Sequence, residues 1–410
     1  MKKVSRLGLF EGYGIELEYM LVDAESLAVL PISDRVLRAV AGETVGEVEL
    51  GELCWSNELV LHLIELKTNG PRPSLSGLAP LFQAHLQRLN TLLEPLGGRL
   101  MPGAMHPWMD PLLETHLWPH DGSQIYDTFN RIFGCRGHGW ANLQSIHLNL
   151  PFAGDEEFAR LHAAVRLLLP ILPALAASSP LMNEKVTGLL DNRLEVYRHN
   201  QQRIPSITGR VIPEPVFSRA EYEEKILQTI YEDIAPYDPE GILQEEWLNS
   251  RGAIARFDRN TIEIRLLDVQ ECPLADLAIV ALIVAVLKAL TEERWGSLAE
   301  LQRWKISPLE TILLAAIRDG ENAWINDRRY LAAFGYPKEA ATAGLLWRFL
   351  AQCLPEPEEE FQAPMATILQ QGPLARRMLR AIGEAPTPER IHDVYAELCR
   401  CLAEGRLLNA

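Results

Sequence analysis

The residues best suited to chemistry are glutamates on strand-like segments. In residues 13–22 (YGIELEYMLV), Ile15, Leu17, Tyr19 and Leu21 alternate with Glu16 and Glu18, so a strand there presents one apolar face and, opposite it, two neighbouring carboxylates. Residues 58–68 (ELVLHLIELKT) carry Glu58 and Glu65 around an apolar run that ends at an Asn-Gly-Pro turn. Glu65 interrupts that run, where an unpaired charge is costly. Seven residues apart, Glu58 and Glu65 fall on opposite faces of an ideal strand, so either a bulge intervenes or Glu58 lies beyond the strand end. A third segment, 142–150 (NLQSIHLNL), places Gln144, His147 and Asn149 on a strand. A fourth, 261–269 (TIEIRLLDV), puts Glu263 and Arg265 on one face.

Hard divalent cations take oxygen ligands and commonly share their shell with phosphates, and clustered carboxylates repel one another unless cations stand between them. Simpler readings compete at each position. The Glu16–Glu18 pair alone describes a solvated strand face, His147 alone a satisfied structural histidine, and Glu263 with Arg265 a cross-strand salt bridge. The combination favours a metal site holding anionic reactants.

Several elements must position these groups. Leu78, Phe82, Leu86, Leu89, Leu93 and Leu96 follow helical spacing and stop at Gly97-Gly98. Residues 99–140, rich in Pro, Gly, His and Trp, read as long loops with a short helix. A helix begins at Asp155, and 179–220 reads as a long ordered loop. Everything after Pro273 reads as mainly helical, with an acidic break at 355–360 (PEPEEE). Long irregular connections between the strands predict an α+β protein with a curved, mainly antiparallel sheet flanked by helices, rather than a doubly wound parallel one. The expected division is a catalytic, sheet-containing core over 1–272 and a helical part over 273–410 packed on it. No GxxxxGK[ST] phosphate loop occurs, and Gly12 and Gly14 precede a strand rather than a helix, so neither standard phosphate-binding glycine motif applies.

Composition narrows the classes further. The 410 residues are 48% hydrophobic and 23% charged, as in ordinary globular proteins, and the net charge of −16 argues against nucleic-acid binding through a basic face. The N-terminal 14 residues make a poor signal peptide. The apolar stretch 277–287 is too short for a membrane span and reads as a buried helix. Six cysteines without a CxxC pair read as free thiols, which points to the cytoplasm.

The ordered motifs GIELEY (14–19), Glu58/Glu65/Thr68, QSIH (144–147) and IEIR (262–265), with the loop 178–200 (SSPLMNEKVTGLLDNRLEVYRHN), resemble the glutamate–cysteine ligase family of carboxylate–amine ligases, its second type. The resemblance covers roughly residues 8–270. It implies a glutamine synthetase-like fold and ATP-dependent amide formation through an acyl phosphate, with glutamate and cysteine as the foremost substrates and glutathione biosynthesis as the setting. It further implies Mg²⁺ or Mn²⁺ held by Glu16, Glu18, Glu65 and Glu263 with His147. Arg265 and Glu263 would be catalytic, and Arg193, Arg198, Gln144 and Glu58 would contact substrate or nucleotide. The implied partners are an amino acid, an amine and ATP, with no nucleic acid and no membrane, and homo-oligomerisation left open. The family often has HxH where this chain has QSIH.

Overall fold

The structure, a computed structural model, describes residues 6–409; the first five of the 14 residues read for a signal peptide lie outside them. The alternation at 13–22 becomes β1 (Gly14–Asp23), whose Ile15, Leu17, Tyr19 and Leu21 are fully buried. It is followed by β2 (Glu47–Leu50), β3 (Leu53–Asn57), β4 (Leu63–Thr68), β5 (Gly98–Met101) and β6 (Ser145–Pro151). After a small separate hairpin of β7 (Leu181–Met182) and β8 (Lys185–Val186) come β9 (Ala253–Arg256) and β10 (Thr261–Asp268). Eight of these strands form one open sheet in the order β2-β3-β4-β1-β6-β10-β9, with β5 also paired to β1, and every pairing is antiparallel.

One face of this sheet is apolar. Ile64 and Leu66 of β4, Ile146, Leu148 and Leu150 of β6, and Ile262 and Ile264 of β10 join the β1 residues in a single buried cluster. Each fully buried side chain of this size is worth roughly 1.5–3 kcal/mol relative to exposure. The cluster is closed from behind by helices. Pro273–Thr291 packs on Leu78–Leu93, Gly154–Leu168 and Glu359–Gln371. Glycine is required at the start of β1, because a Cβ on Gly14 would stand 2.9 Å from the Asn149 Cβ across the β1–β6 pairing.

The fold matches the expected α+β class with a mainly antiparallel sheet, and four details differ. The second strand begins at Leu63, not at residue 58, and is the last of a three-strand meander whose first two members, β2 and β3, lack strong patterning. The third begins at Ser145, so Gln144 is not on it. Residues 179–220 are not all loop, since they hold the β7–β8 hairpin and the helix Asn192–Tyr197. The buried helix extends well past 277–287: with 19 residues it is the one helix among those described long and apolar enough to cross a membrane, and it is largely enclosed by the protein. All six cysteines are free.

Candidate functional site

Antiparallel register brings the polar residues together. Glu16 lies opposite Lys67 of β4 and His147 of β6, Glu18 opposite Glu65, and Glu263 of β10 opposite Asn149 of β6. Because side chains alternate, all of them project from the face opposite the apolar core. Ser56 of β3, opposite Glu65, and Ser145 of β6 complete this surface. Glu16, Glu18, Glu65 and Glu263 therefore share one face of one sheet. Glu58 sits in the connection between β3 and β4, so the end-of-strand alternative holds and no bulge is needed.

His147 is the hub. Its Nδ1 donates to Glu16 Oε2 at 2.9 Å, and its Nε2 lies 3.0 Å from the Ser145 hydroxyl and 3.7 Å from Glu18. Asn149 donates to the other Glu16 oxygen at 2.9 Å, and the Ser145 backbone N–H and hydroxyl both donate to Glu18. Arg265 Nε donates to Glu263 at 2.5 Å, and Lys67 reaches Glu65 at 3.3 Å and Glu47 at 2.7 Å. Burial alone would lower His147, but the hydrogen bond and charge of Glu16, with Glu18 and Glu263, carry it up to about 9. Burial alone would raise Glu16, and the same histidine with Lys67 and Arg265 brings it down to about 2.

Farther along the face the balance reverses. Burial, then the charges of Glu16 and Glu18, push Glu65 up to about 7, even with Lys67 beside it. Burial with Glu18 and Glu65 pushes Glu58 well above the carboxylate range. Five carboxylates thus face His147, Lys67 and Arg265. Arg256, 3.7 Å from Glu263, is shared with Asp258 and Glu246. The raised Glu58 and Glu65 keep the face close to neutral as it stands, and ionising all five carboxylates would call for a further cation, which is the observation against which a metal can be tested. The donors are carboxylate oxygens, the set that Mg²⁺ or Mn²⁺ prefers, so the residues fit such an ion. Ligand atoms of Glu16, His147 and Glu263 already lie within 4.8 Å of one another. His147 would have to release Glu16 and a proton in order to ligate, so the oxygens are the better donors. A cavity of about 790 Å³ opens on Glu16, Asn149 and Lys67 and reaches Arg6, Asn69 and Arg259.

The remaining expected residues are placed as follows. Arg193 is buried: its Nε pairs with Asp268 at 2.5 Å and its Nη2 donates to the Arg265 carbonyl at 3.2 Å. It therefore braces the backbone of Arg265, and two of its donor nitrogens are already used. Asp268 is itself held by the Ser178 N–H and the Ser179 hydroxyl, which explains why the serine pair opens this loop. Arg198 is not brought to the cluster; it pairs with Glu195 at 2.8 Å near the end of its short helix. Gln144 is fully buried; its amide nitrogen donates to the Gly103 carbonyl, and its Oε1 meets no partner among the described residues. Lys67 and Ser145 escaped the sequence reading, although each lies two positions from a chosen residue and so on the same face. Asp268 escaped it too, because the bulge between Ile264 and Leu267 breaks the alternation.

Known proteins share this architecture. The bifunctional glutathione synthetase of Pasteurella multocida superposes with a TM-score of 0.63 at 14% identity, over 97% of this chain and 53% of its own. The glutamate–cysteine ligase of Francisella tularensis, solved in complex with AMP, gives 0.57 at 13% identity, over 96% and 88%. In sequence, an uncharacterized protein of Archaeoglobus fulgidus is 34% identical over 394 residues, 96% of this chain and 99% of its own. A putative glutamate–cysteine ligase 2 of Salinispora arenicola is 30% identical over 285 residues, 68% of this chain and 65% of its own. Fold and sequence define the class as a carboxylate–amine ligase. The profile of glutamate–cysteine ligase family 2 matches residues 13–397, and the chain belongs to that family.

Proposed function

We propose that the protein is an ATP-dependent ligase joining an amino-acid carboxylate to an amine, with glutamate and cysteine as the first pair to test. The observation that carries this reading is the convergence of Glu16, Glu18, Glu65 and Glu263 on one sheet face beside Arg265. In the reaction, an oxygen of the acid attacks the γ-phosphorus of ATP, ADP leaves and an acyl phosphate forms. The amine nitrogen then attacks the acyl carbon, losing a proton, and inorganic phosphate departs. Two anionic reactants meet in the first step, so charge neutralisation and positioning supply most of the catalysis. Bound Mg²⁺ or Mn²⁺ would be held by Glu16, Glu18, Glu65 and Glu263 and would supply that neutralisation. Arg265, tethered through Nε, has terminal nitrogens with no partner among the described residues and so available to the transferring phosphoryl group, a role suited to its planar donor fork. Protonated His147 fixes Glu16 and Glu18 in place.

Asn149, Lys67 and Arg259 line the cavity next to the cluster and offer hydrogen bonds and positive charge to an anionic substrate. The partners are small molecules, the amino acid, the amine and ATP. Nothing in the cavity selects a thiol, so a ligase of the same mechanism with another acid or amine is the alternative. The test supplies hydroxylamine in place of the amine, with ATP, Mg²⁺ and each of a panel of amino acids. Hydroxamate formation coupled to ADP release supports the ligase and names the acid. Tight ATP binding with no hydroxamate from any acid would instead mark a nucleotide-binding protein.

A further inference from the structure

A second cavity, of about 550 Å³, lies among the helices Leu298–Gln302, Ile306–Asp319 and Arg328–Ala332 and shares no residue with the one beside Glu16. Two half-buried tryptophans, Trp295 and Trp304, wall it. The indole N–H groups of Trp295 and Trp304 meet no acceptor among the described residues, as is also true of Trp108, Trp140, Trp247 and Trp324, so what distinguishes the pair is their shared place on one cavity wall. Three cations line the same space. Arg303 and Lys305 make no ion pair among the described residues, and Arg329 lies 5.7 Å over the Trp304 ring while touching Asp327. The one lining carboxylate, Glu300, is engaged in capping its helix through Ser297.

Such a local excess of positive charge is unexpected in a chain of net charge −16. Two free cations match the charge of a phosphate monoester, about −1.5 to −2 at neutral pH. Arg294 stands over the Trp295 ring as Arg329 does over that of Trp304, so a planar base would stack on the opposite indole faces, with donors at the ring edges. The volume lies within the roughly 300–1,000 Å³ typical of small-molecule sites. We propose that this cavity is a binding site for a purine nucleoside monophosphate, separate from the sheet face.

The test is calorimetric titration of the intact protein with GMP in magnesium-free buffer, with guanosine and inorganic phosphate titrated separately. The double variant Arg303→Ala/Lys305→Ala serves as the comparison. The expected result is one GMP per chain in the wild type, with guanosine and phosphate each binding at least about tenfold more weakly, because ring and charge act together. The double variant should weaken GMP by about tenfold or more while retaining wild-type ADP release. No GMP binding to the wild type would overturn the proposal. Equal binding by the double variant would also overturn it, since the nucleotide would then sit elsewhere.

Discussion

Arg265→Lys separates positioning from charge. Arg265 Nε is bonded to Glu263 at 2.5 Å, its carbonyl accepts from Arg193, and its side chain is only 18% exposed. Lysine keeps the positive charge that Glu263 needs, so the fold loses the equivalent of one hydrogen bond, about 1–2 kcal/mol. Catalysis should lose more. A lysine drawn to Glu263 cannot also offer two coplanar donors to the phosphoryl group, and removing one preorganised donor typically costs about 10²–10³ in kcat, or roughly 2.7–4 kcal/mol. The assay is initial ADP release at saturating ATP, Mg²⁺ and both substrates, beside a urea unfolding curve. The expected outcome is a kcat fall of about a hundredfold with little change in KM, the pattern of a contact made in the transition state. A variant turning over within about threefold of wild type, well short of that loss, would show that Arg265 serves only as a partner for Glu263.

Three further outcomes are expected. Glu263→Gln removes one charge at nearly constant shape, so the Mg²⁺ concentration for half-maximal activity should rise, or turnover vanish, with unchanged circular dichroism; an unaltered Mg²⁺ titration would exclude Glu263 as a ligand. Burial, with the Arg166 charge, lowers His162 to about 3, so it stays neutral in the fold while the unfolded chain takes up a proton below about pH 6.5. Its contribution therefore falls as pH falls through that window, and the stability advantage of wild type over His162→Gln should shrink by roughly 1.4 kcal/mol per pH unit between pH 6 and 4 in urea titrations. Glu271→Ala leaves Arg377, fully buried and paired with Glu271, without its countercharge, and also frees the Leu408 N–H, so thermal or urea unfolding should register a loss of about 3–5 kcal/mol.

The legible parts of the fold were those where one face is buried and the other is not. On β1, period-two alternation fixed both the strand and the direction of Glu16 and Glu18. On β10 the same pattern placed Glu263 and Arg265, though Asp268 was lost past the bulge. Strands without that contrast stayed hidden. β2 is an edge strand with half-exposed and exposed residues, and β9 is four buried residues too short to show a period. Gln144 and Arg198 stand off the strand face that carries the glutamates for a common reason. A motif of adjacent letters does not say where the strand or helix ends, and a polar side chain just past such an end is free to bond a nearby backbone group or neighbour, as these two do. Arg193 shows the converse case, since only the tertiary contact with Asp268 reveals that it acts on Arg265 from behind.

Register and chemistry are set here by one device. Sliding β1 by one residue against β4 and β6 would turn Leu17 and Tyr19 toward the polar side and bury Glu16 and Glu18 beneath the helix Pro273–Thr291. Burying each carboxylate without a partner costs several kcal/mol, so the penalty that makes the glutamates unwelcome in the core is also what holds them opposite His147 and Glu65. The surplus of carboxylates on that face works against stability, as the raised Glu58 and Glu65 show. The apolar face behind carries that load, through the continuous cluster joining β1, β4, β6 and β10 to the helices. Substitutions on the two faces should therefore separate cleanly. Trimming Leu17 or Leu148 lowers stability while the surviving folded molecules retain their chemistry, whereas neutralising Glu65, whose ionised form the fold disfavours, removes chemistry while leaving stability equal or higher.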